Sequence, residues 1–467
     1  MSNQEQNLTN HHYIAIIGGS VSGSEAASML AEKGHKVVVF DQNELPYGKL
    51  EDGLPMWHSK LRDRQEESID EKLSHDNIEF LPLVEIGKDV QFNDLINDWG
   101  FSAVILANGA WKDRPIGVEA LEKLEGKNLI YQNPLLNWFN HKHEPDYDGP
   151  RFEIKENTVV FGGGLASIDV VKIAMMELVM KALKTKHNID VDVFTLEKKG
   201  VKAVLDQHGL ALEDLGVKPV NLVYRRAPED MPLAQPADDS AAKIEKARQT
   251  SKKLITKYVD KFLFNFIPQA VIEDTLFENG HFKGVRLRKM DIDGRKLIPT
   301  DETIDIETEL VISSIGSIPK HIDGVTYEGE RMKIQDGSDY KVDGFDNVFA
   351  IGNAITGKGN IMTSKKHGKE MTARIIDEDL EKMMDIDKFD ALEKKVEMHN
   401  QALQERVNRQ INELEGYLSS EGISEAEEQN LLNKTKRLRD LQEFYNYERW
   451  IKEHKPERLE EQLGLSH

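Results

Sequence analysis

The chain has 467 residues, more than one hydrophobic core usually supports, so two or three domains are expected. It contains no cysteine, which excludes a dithiol–disulfide pair and thiolate-held iron–sulfur centres within these residues; any electrons it moves must end on another molecule. A net charge of −21 argues against broad nucleic-acid binding, and no apolar run approaches bilayer-spanning length, so neither nucleic acid nor membrane is an expected partner.

The first twelve residues, MSNQEQNLTNHH, are polar and lack the features of a signal peptide, so a cytoplasmic location is expected. The N-terminal third then alternates strands and helices in the manner of an α/β fold. Tyr13 to Ile17 is a short apolar run expected to be a buried parallel strand. A helix is expected from about Ser24 to Lys33, stopped by Gly34, with the next strand over Lys36 to Phe40. In this unit Gly18 allows the tight turn out of the strand and Gly23 allows close packing of helix on strand. Ser20 stands at the middle glycine position and crowds the turn slightly. The helix N-terminus offers free N–H groups to a pyrophosphate, and Asp41 ends the second strand, where a carboxylate can accept hydrogen bonds from ribose hydroxyls. Ala103 to Ala107 is another buried strand, and Asn137 to Arg151, rich in His, Asp, Pro and Gly, is expected to be a linker.

A second strand–glycine–helix unit, TVVFGGGLASIDVVKIAMMEL, puts Gly162, Gly164 and Ser167 at the three fingerprint positions. Two such units imply two dinucleotides, for which a flavin and a nicotinamide are the natural pair; no metal site is expected. Two strands compete to follow the second turn. Val191 to Leu196 ends in Glu197, which would favour the 2′-hydroxyl of NAD, whereas Val220 to Tyr224 ends in Arg225-Arg226, which would favour the 2′-phosphate of NADP. From the residues alone the choice stays open. From about Leu380 the composition turns to Glu, Lys, Gln and Leu. Phe389, Leu392, Val396, Leu403, Val407, Ile411, Leu414 and Leu418 lie at helical spacing. Gly422 breaks the pattern, and Ser424 with Glu427 makes a capping box for a second helix carrying Leu431, Leu438, Leu441 and Tyr445 on one side. A helical hairpin packed on the core or on a second subunit, serving as a docking or dimer element outside the redox site, is expected.

Several segments together resemble the adrenodoxin-reductase-like ferredoxin–NADP reductases and, more distantly, the small subunit of bacterial glutamate synthase. They are LPYGKLEDGLPMWHSKL (45–61), AVILANGA (103–110), VYRRAPEDMP (223–232), LVISSIGSIPKHIDG (310–324) and VFAIGNAITGKGNIMTSKKHG (348–368). The resemblance runs from about Tyr13 to Asp379. It implies an FAD-binding domain over 1–115 and 310–380, and an NAD(P)-binding domain over 116–309 with an insertion near 184–218. The helical extension over 381–467 lies outside it. It further implies Leu50, Gly109, Gly352, Asn353 and Ile361 as flavin contacts, NADPH held by Arg225 and Arg226, and a ferredoxin-like electron acceptor. His58 and Asp169 match a histidine and an aspartate that the family places near flavin and nicotinamide, where they would handle a proton. Two departures stand out: Leu165 replaces an Asn after the second turn, and Asn353 stands where relatives carry Trp or Asp. The alternatives are a flavoprotein acting directly on a small molecule, and a non-catalytic assembly protein that senses redox state.

Overall fold

The computed structural model describes residues 11–236, 238–294, 296–338, 340–354, 390–418 and 422–465. Two parallel five-stranded sheets organise the molecule. In the first, Tyr13–Ile17 lies at the centre, with Lys36–Phe40 and then Ile78–Leu81 on one side and Ala103–Leu106 and then Val348–Ala350 on the other. The register pairs Tyr13 with Lys36 and Ile17 with Phe40. Every residue of Tyr13–Ile17 is buried, as an inner strand covered on both faces requires. The second sheet runs Leu129–Tyr131, Val311–Ser314, Val159–Gly162, Asn221–Tyr224, Asn265–Pro268. The chain therefore returns to the first sheet after Ser314, a few residues beyond the expected boundary at 310. Where the two crossings pass, Lys112–Asp113 pairs antiparallel with Ser317–Ile318.

A third, antiparallel sheet of Ala270–Glu278, His281–Asp293 and Lys296–Glu307 packs one face on the second sheet. Its first hairpin closes at Asn279-Gly280, both at positive φ (52° and 79°), the two-residue turn that matches strand twist.

Four expectations need correction. The first helix is Val21–Glu32, starting three residues early because the glycine turn feeds straight into it. The stretch from Asn137 is no linker at its start, since the helix Gln132–His141 runs through it and buries Leu135, Leu136, Trp138 and Phe139. The segment from Val191 is not a strand: Asp192 accepts the Thr195 N–H at 2.8 Å and caps a helix, Val193–Lys199. Glu197 therefore lies on a helix and never follows the second turn. The C-terminal extension is also more than a hairpin. Asp390–Leu414 and Glu425–Leu441 are followed by Tyr447–His454 and Leu459–Gln462.

The capping box at Ser424 and Glu427 forms with both of its hydrogen bonds. Val407, Ile411 and Leu414, with Tyr447, Trp450 and Ile451, join the core over the first sheet. Leu431 is also buried, but Leu441 and Tyr445 are 67% and 65% exposed and face away from it. Phe389 and the side chains of Leu392 and Val396 lie outside the described residues.

Candidate functional site

Each parallel sheet presents one glycine turn at the carboxyl end of its strands, where doubly wound folds bind ligands. At the first, Gly18 has φ +101° and a Cβ there would lie 2.7 Å from the Ala107 carbonyl oxygen. A Cβ on Gly23 would lie 1.8 Å from the Gly18 oxygen, so helix and strand approach at a distance only glycine permits. The helix Val21–Glu32 begins without a side-chain cap, leaving N–H groups for a ligand. Ser20 donates its hydroxyl to the Tyr47 carbonyl at 2.9 Å, turning its side chain to the neighbouring loop. Asp41 accepts the Gly19 N–H at 2.7 Å and the Asn43 N–H at 2.9 Å. Burial pushes its carboxyl up to about 6 against these two bonds. It thus braces the turn as well as facing the cavity beside it.

At the second turn a Cβ on Gly162 would lie 2.4 Å from Ser167 Cβ and 2.5 Å from the Ser314 oxygen. Ser167 is fully buried and donates to the Gly164 oxygen at 2.6 Å. Gly164 caps the helix Leu165–Ala182, and a Cβ there would meet nothing within 4 Å. Its neighbour strand Asn221–Tyr224 delivers Arg225, an exposed guanidinium, to the same space.

Both turns open on one continuous cavity of about 1070 Å³. Of the expected site residues Gly18, Ser20, Asp41, Leu50, Gly109, Gly162, Gly164, Ser167 and Arg225 line it. Gly23 packs behind the turn. Arg226 sits next to the lining Arg225 without lining the cavity itself. Gly352, at φ +64°, packs against the first helix, where a Cβ would strike the Ser22 hydroxyl at 2.4 Å. Asn353 belongs to the short helical turn Gly352–Ala354, and Ile361 lies outside the described residues.

His58 and Asp169 meet, but away from the cavity. His58 is 2% exposed, its Nε2 accepts the Trp57 indole N–H at 3.1 Å, and its Nδ1 is buried without a partner. Asp169 Oδ2 stands 3.8 Å from Nε2, beyond hydrogen-bonding reach. Lys172 instead holds Asp169 at 3.3 Å and Glu197 at 2.9 Å. Burial works against the Asp169 charge, but Lys172 and His58 together keep the carboxyl below its ordinary value. Burial likewise opposes the Lys172 charge, and Glu197 and Asp169 together raise it. As placed, this network ties the two domains together and offers no group to the cavity surface.

Sequence reasoning missed several cavity residues. Lys49 donates to Asn133 Oδ1 at 3.1 Å and Ser317 Oγ at 2.9 Å, and burial pushes its ammonium down to about 8. A lysine inside the glycine-rich LPYGKLEDG was the available signal. Trp111 stands beside it, 5.9 Å from Nζ to ring centre. The Asn108 Oδ1 is buried without a partner in the cavity wall. Nothing local pointed to Asn400 or Leu403, which reach the cavity from the C-terminal helix.

These features fit two dinucleotides: tight glycine turns, uncapped helix starts, an orphaned acceptor, and a cavity shared by both turns. Residues 12–203 match the model of the pyridine nucleotide-disulphide oxidoreductase family. The small chain of NADPH glutamate synthase from Mycobacterium tuberculosis is 32% identical over 164 residues, 33% of this chain and 32% of that protein. The chain thus matches about a third of that relative's length. The Escherichia coli small chain is 24% identical over 381 residues, 76% of this chain and 66% of its own. Among solved structures, Mycobacterium tuberculosis FprA in complex with NADPH superposes with a TM-score of 0.56 at 19% identity, covering 80% of this chain and 86% of FprA. The family match is confined to residues 12–203, and the likeness to FprA is one of fold. The chain holds no cysteine, so no dithiol pair lies within these residues. Among the described residues no helix is long and apolar enough to cross a membrane.

Proposed function

We propose that the chain is an NADPH-dependent FAD reductase that passes electrons to a separate acceptor, a ferredoxin-like carrier. The observation that carries this reading is the single cavity onto which both glycine turns open. FAD at the Gly18 turn and NADPH at the Gly162 turn would then share one enclosure, and together they would supply hydride transfer. The chain's own part is to orient the two and exclude water. Gly18 and the start of Val21–Glu32 would take the flavin pyrophosphate, Gly23 would let helix and strand close up behind it, and Asp41 would offer its remaining lone pairs to ribose hydroxyls. Arg225, with Arg226 beside it, meets the 2′-phosphate. Preference for NADPH is supported by Arg225 lining the cavity and by Glu197, the rival acid, being bound to Lys172 on another helix. The absence of cysteine supports an external acceptor, and a cytoplasmic setting suits such a partner.

The test is anaerobic titration of FAD-loaded protein with NADPH and with NADH while the flavin spectrum is recorded. NADPH is expected to bleach the flavin stoichiometrically at lower concentration than NADH. A chain that takes up no FAD, or whose flavin stays oxidised under both, contradicts the reading.

A further inference from the structure

The loop Glu44–Leu54 carries Gly48, Lys49, Leu50, Gly53 and Leu54 into the wall of the cavity. Its only helical piece is Lys49–Asp52, four residues, too short to hold a conformation by itself. Ser20, Asn133, Asn140 and Ser317 bond it from within the two sheet domains, and a second set of anchors comes from the other end of the chain. Trp450 Nε1 donates to the Glu44 carbonyl at 2.7 Å. Tyr447 donates to Asp70 Oδ1 at 2.7 Å, and Tyr47 of the loop donates to the same carboxylate at 3.1 Å. Arg458 grips Glu51 with both terminal nitrogens and reaches Glu66 at 3.0 Å. Arg62 pairs with Glu460 at 2.5 Å, and Lys455 reaches the second Glu66 oxygen at 2.7 Å.

Glu51, Glu66 and Glu460 thus meet Arg62, Lys455 and Arg458, and all of these except Lys455 are less than a tenth exposed. Independently, Asp390–Leu414 lies along the first glycine-turn helix and sets Asn400 and Leu403, 8% and 7% exposed, in the same wall. Asn400 is steadied by donating to Gln65 at 3.3 Å.

We propose that the C-terminal segment is part of the flavin site: Asn400 and Leu403 bind the cofactor, and Arg458 is a positioning residue that fixes the Glu44–Leu54 loop against it. This rests on the reading that the Gly18 turn holds FAD. The expected docking role of the extension, outside the redox site, gives way to a strap that completes the cradle. This second set of anchors lies about 400 positions away, so on this proposal flavin affinity depends in part on residues that share no glycine turn.

The experiment titrates the full-length apoprotein with FAD and separately with NADP⁺, alongside its Tm and hydrogen exchange over residues 44–54. Two variants are compared with wild type. Asn400→Ala leaves the ion network untouched. Arg458→Met with Glu51→Gln and Glu66→Gln removes Arg458 together with both its partners, leaves Arg62 paired with Glu460, and strands no buried charge. Asn400→Ala is expected to weaken FAD about three- to ten-fold, the loss of one hydrogen bond, with apoprotein Tm unchanged. The triple variant is expected to weaken FAD more than about ten-fold and to speed exchange in the loop, with NADP⁺ affinity held within about two-fold. Wild-type FAD affinity in both variants overturns the proposal and leaves the extension a structural brace. Equal losses for FAD and NADP⁺ mark general loosening and overturn it too. A wild-type chain that binds NADP⁺ but no FAD overturns the first-site reading itself, and the strap with it.

Discussion

The two glycine turns are built on the same strand–turn–helix plan, yet they differ in closure. The first is braced from all sides: Asp41 bonds the Gly19 N–H, Ser20 bonds the Tyr47 carbonyl, and the C-terminal strap backs the loop beside it. The second is tight at Gly162 and Gly163 but open at Gly164, where a Cβ would meet nothing beyond its own chain neighbours and helix within 4 Å, and it has an exposed Arg225 at the end of the next strand. On the proposed reading the first turn would keep its ligand and the second would exchange it. That is the division of labour a flavin reductase needs, because flavin stays through every cycle while the nicotinamide must leave.

The largest effect should come from filling the braced turn. A valine at Gly23 has to push the helix off the strand, since its Cβ would start 1.8 Å from the Gly18 oxygen. It should cost about 3 kcal/mol or more and abolish FAD binding, read by thermal unfolding and flavin retention. Gly164→Ala at the open turn should change stability by less than about 1 kcal/mol. Comparable losses at both turns would break the contrast.

Next in size is Glu197→Gln. Withdrawing one of the two carboxylates on buried Lys172 should destabilise by about 3 kcal/mol in denaturant unfolding. The NADPH-to-NADH preference should stay unchanged, because Glu197 reaches no ribose site. A shift towards NADPH would revive Glu197 as the ribose acid.

A smaller effect is expected from Arg225→Ala with Arg226→Ala. A charge-assisted contact contributes about 1.5–3 kcal/mol, so NADPH should weaken roughly ten-fold or more while NADH changes little. Equal losses for both cofactors would remove the arginines from the phosphate site.

The smallest effect concerns the contact between the domains. His141 is buried against Asp52, Glu144 and Glu51. Burial opposes its charge, but these carboxylates win and push it up to about 10. A histidine raised above its unfolded value stabilises fully below about pH 6.5, and this support fades as pH rises through about 10. His141→Gln should therefore flatten the fall of Tm between about pH 7 and 10. An unchanged slope would remove His141 from the clamp.

Much of the first turn was legible because its signals are local. The apolar run Tyr13–Ile17, the glycine spacing and the acid at Asp41 all fall within thirty residues, and the strands Tyr13–Ile17 and Lys36–Phe40 lie where the apolar runs put them. The second turn was half legible. Alternation in VDVF suggested a strand, but the Asp192 cap turns the same residues into a helix, and only tertiary packing shows which strand comes next. His58 and Asp169 could be paired by resemblance, but their burial behind the cavity depends on Lys172 and Glu197, whose meeting no motif encodes. The Asn279-Gly280 pair did announce a hairpin and was passed over. Asn400 and Arg458 were invisible for a plainer reason: helical spacing says which face is apolar, not what that face will cover.

The central claim is that the two turns hold two different dinucleotides at once. Calorimetric titration of apoprotein with FAD to saturation, followed by NADP⁺, tests it most directly. The account predicts one FAD and then one NADP⁺ per chain, with no flavin released during the second titration. Displacement of FAD by NADP⁺, or a second FAD filling the Gly162 turn, would contradict it.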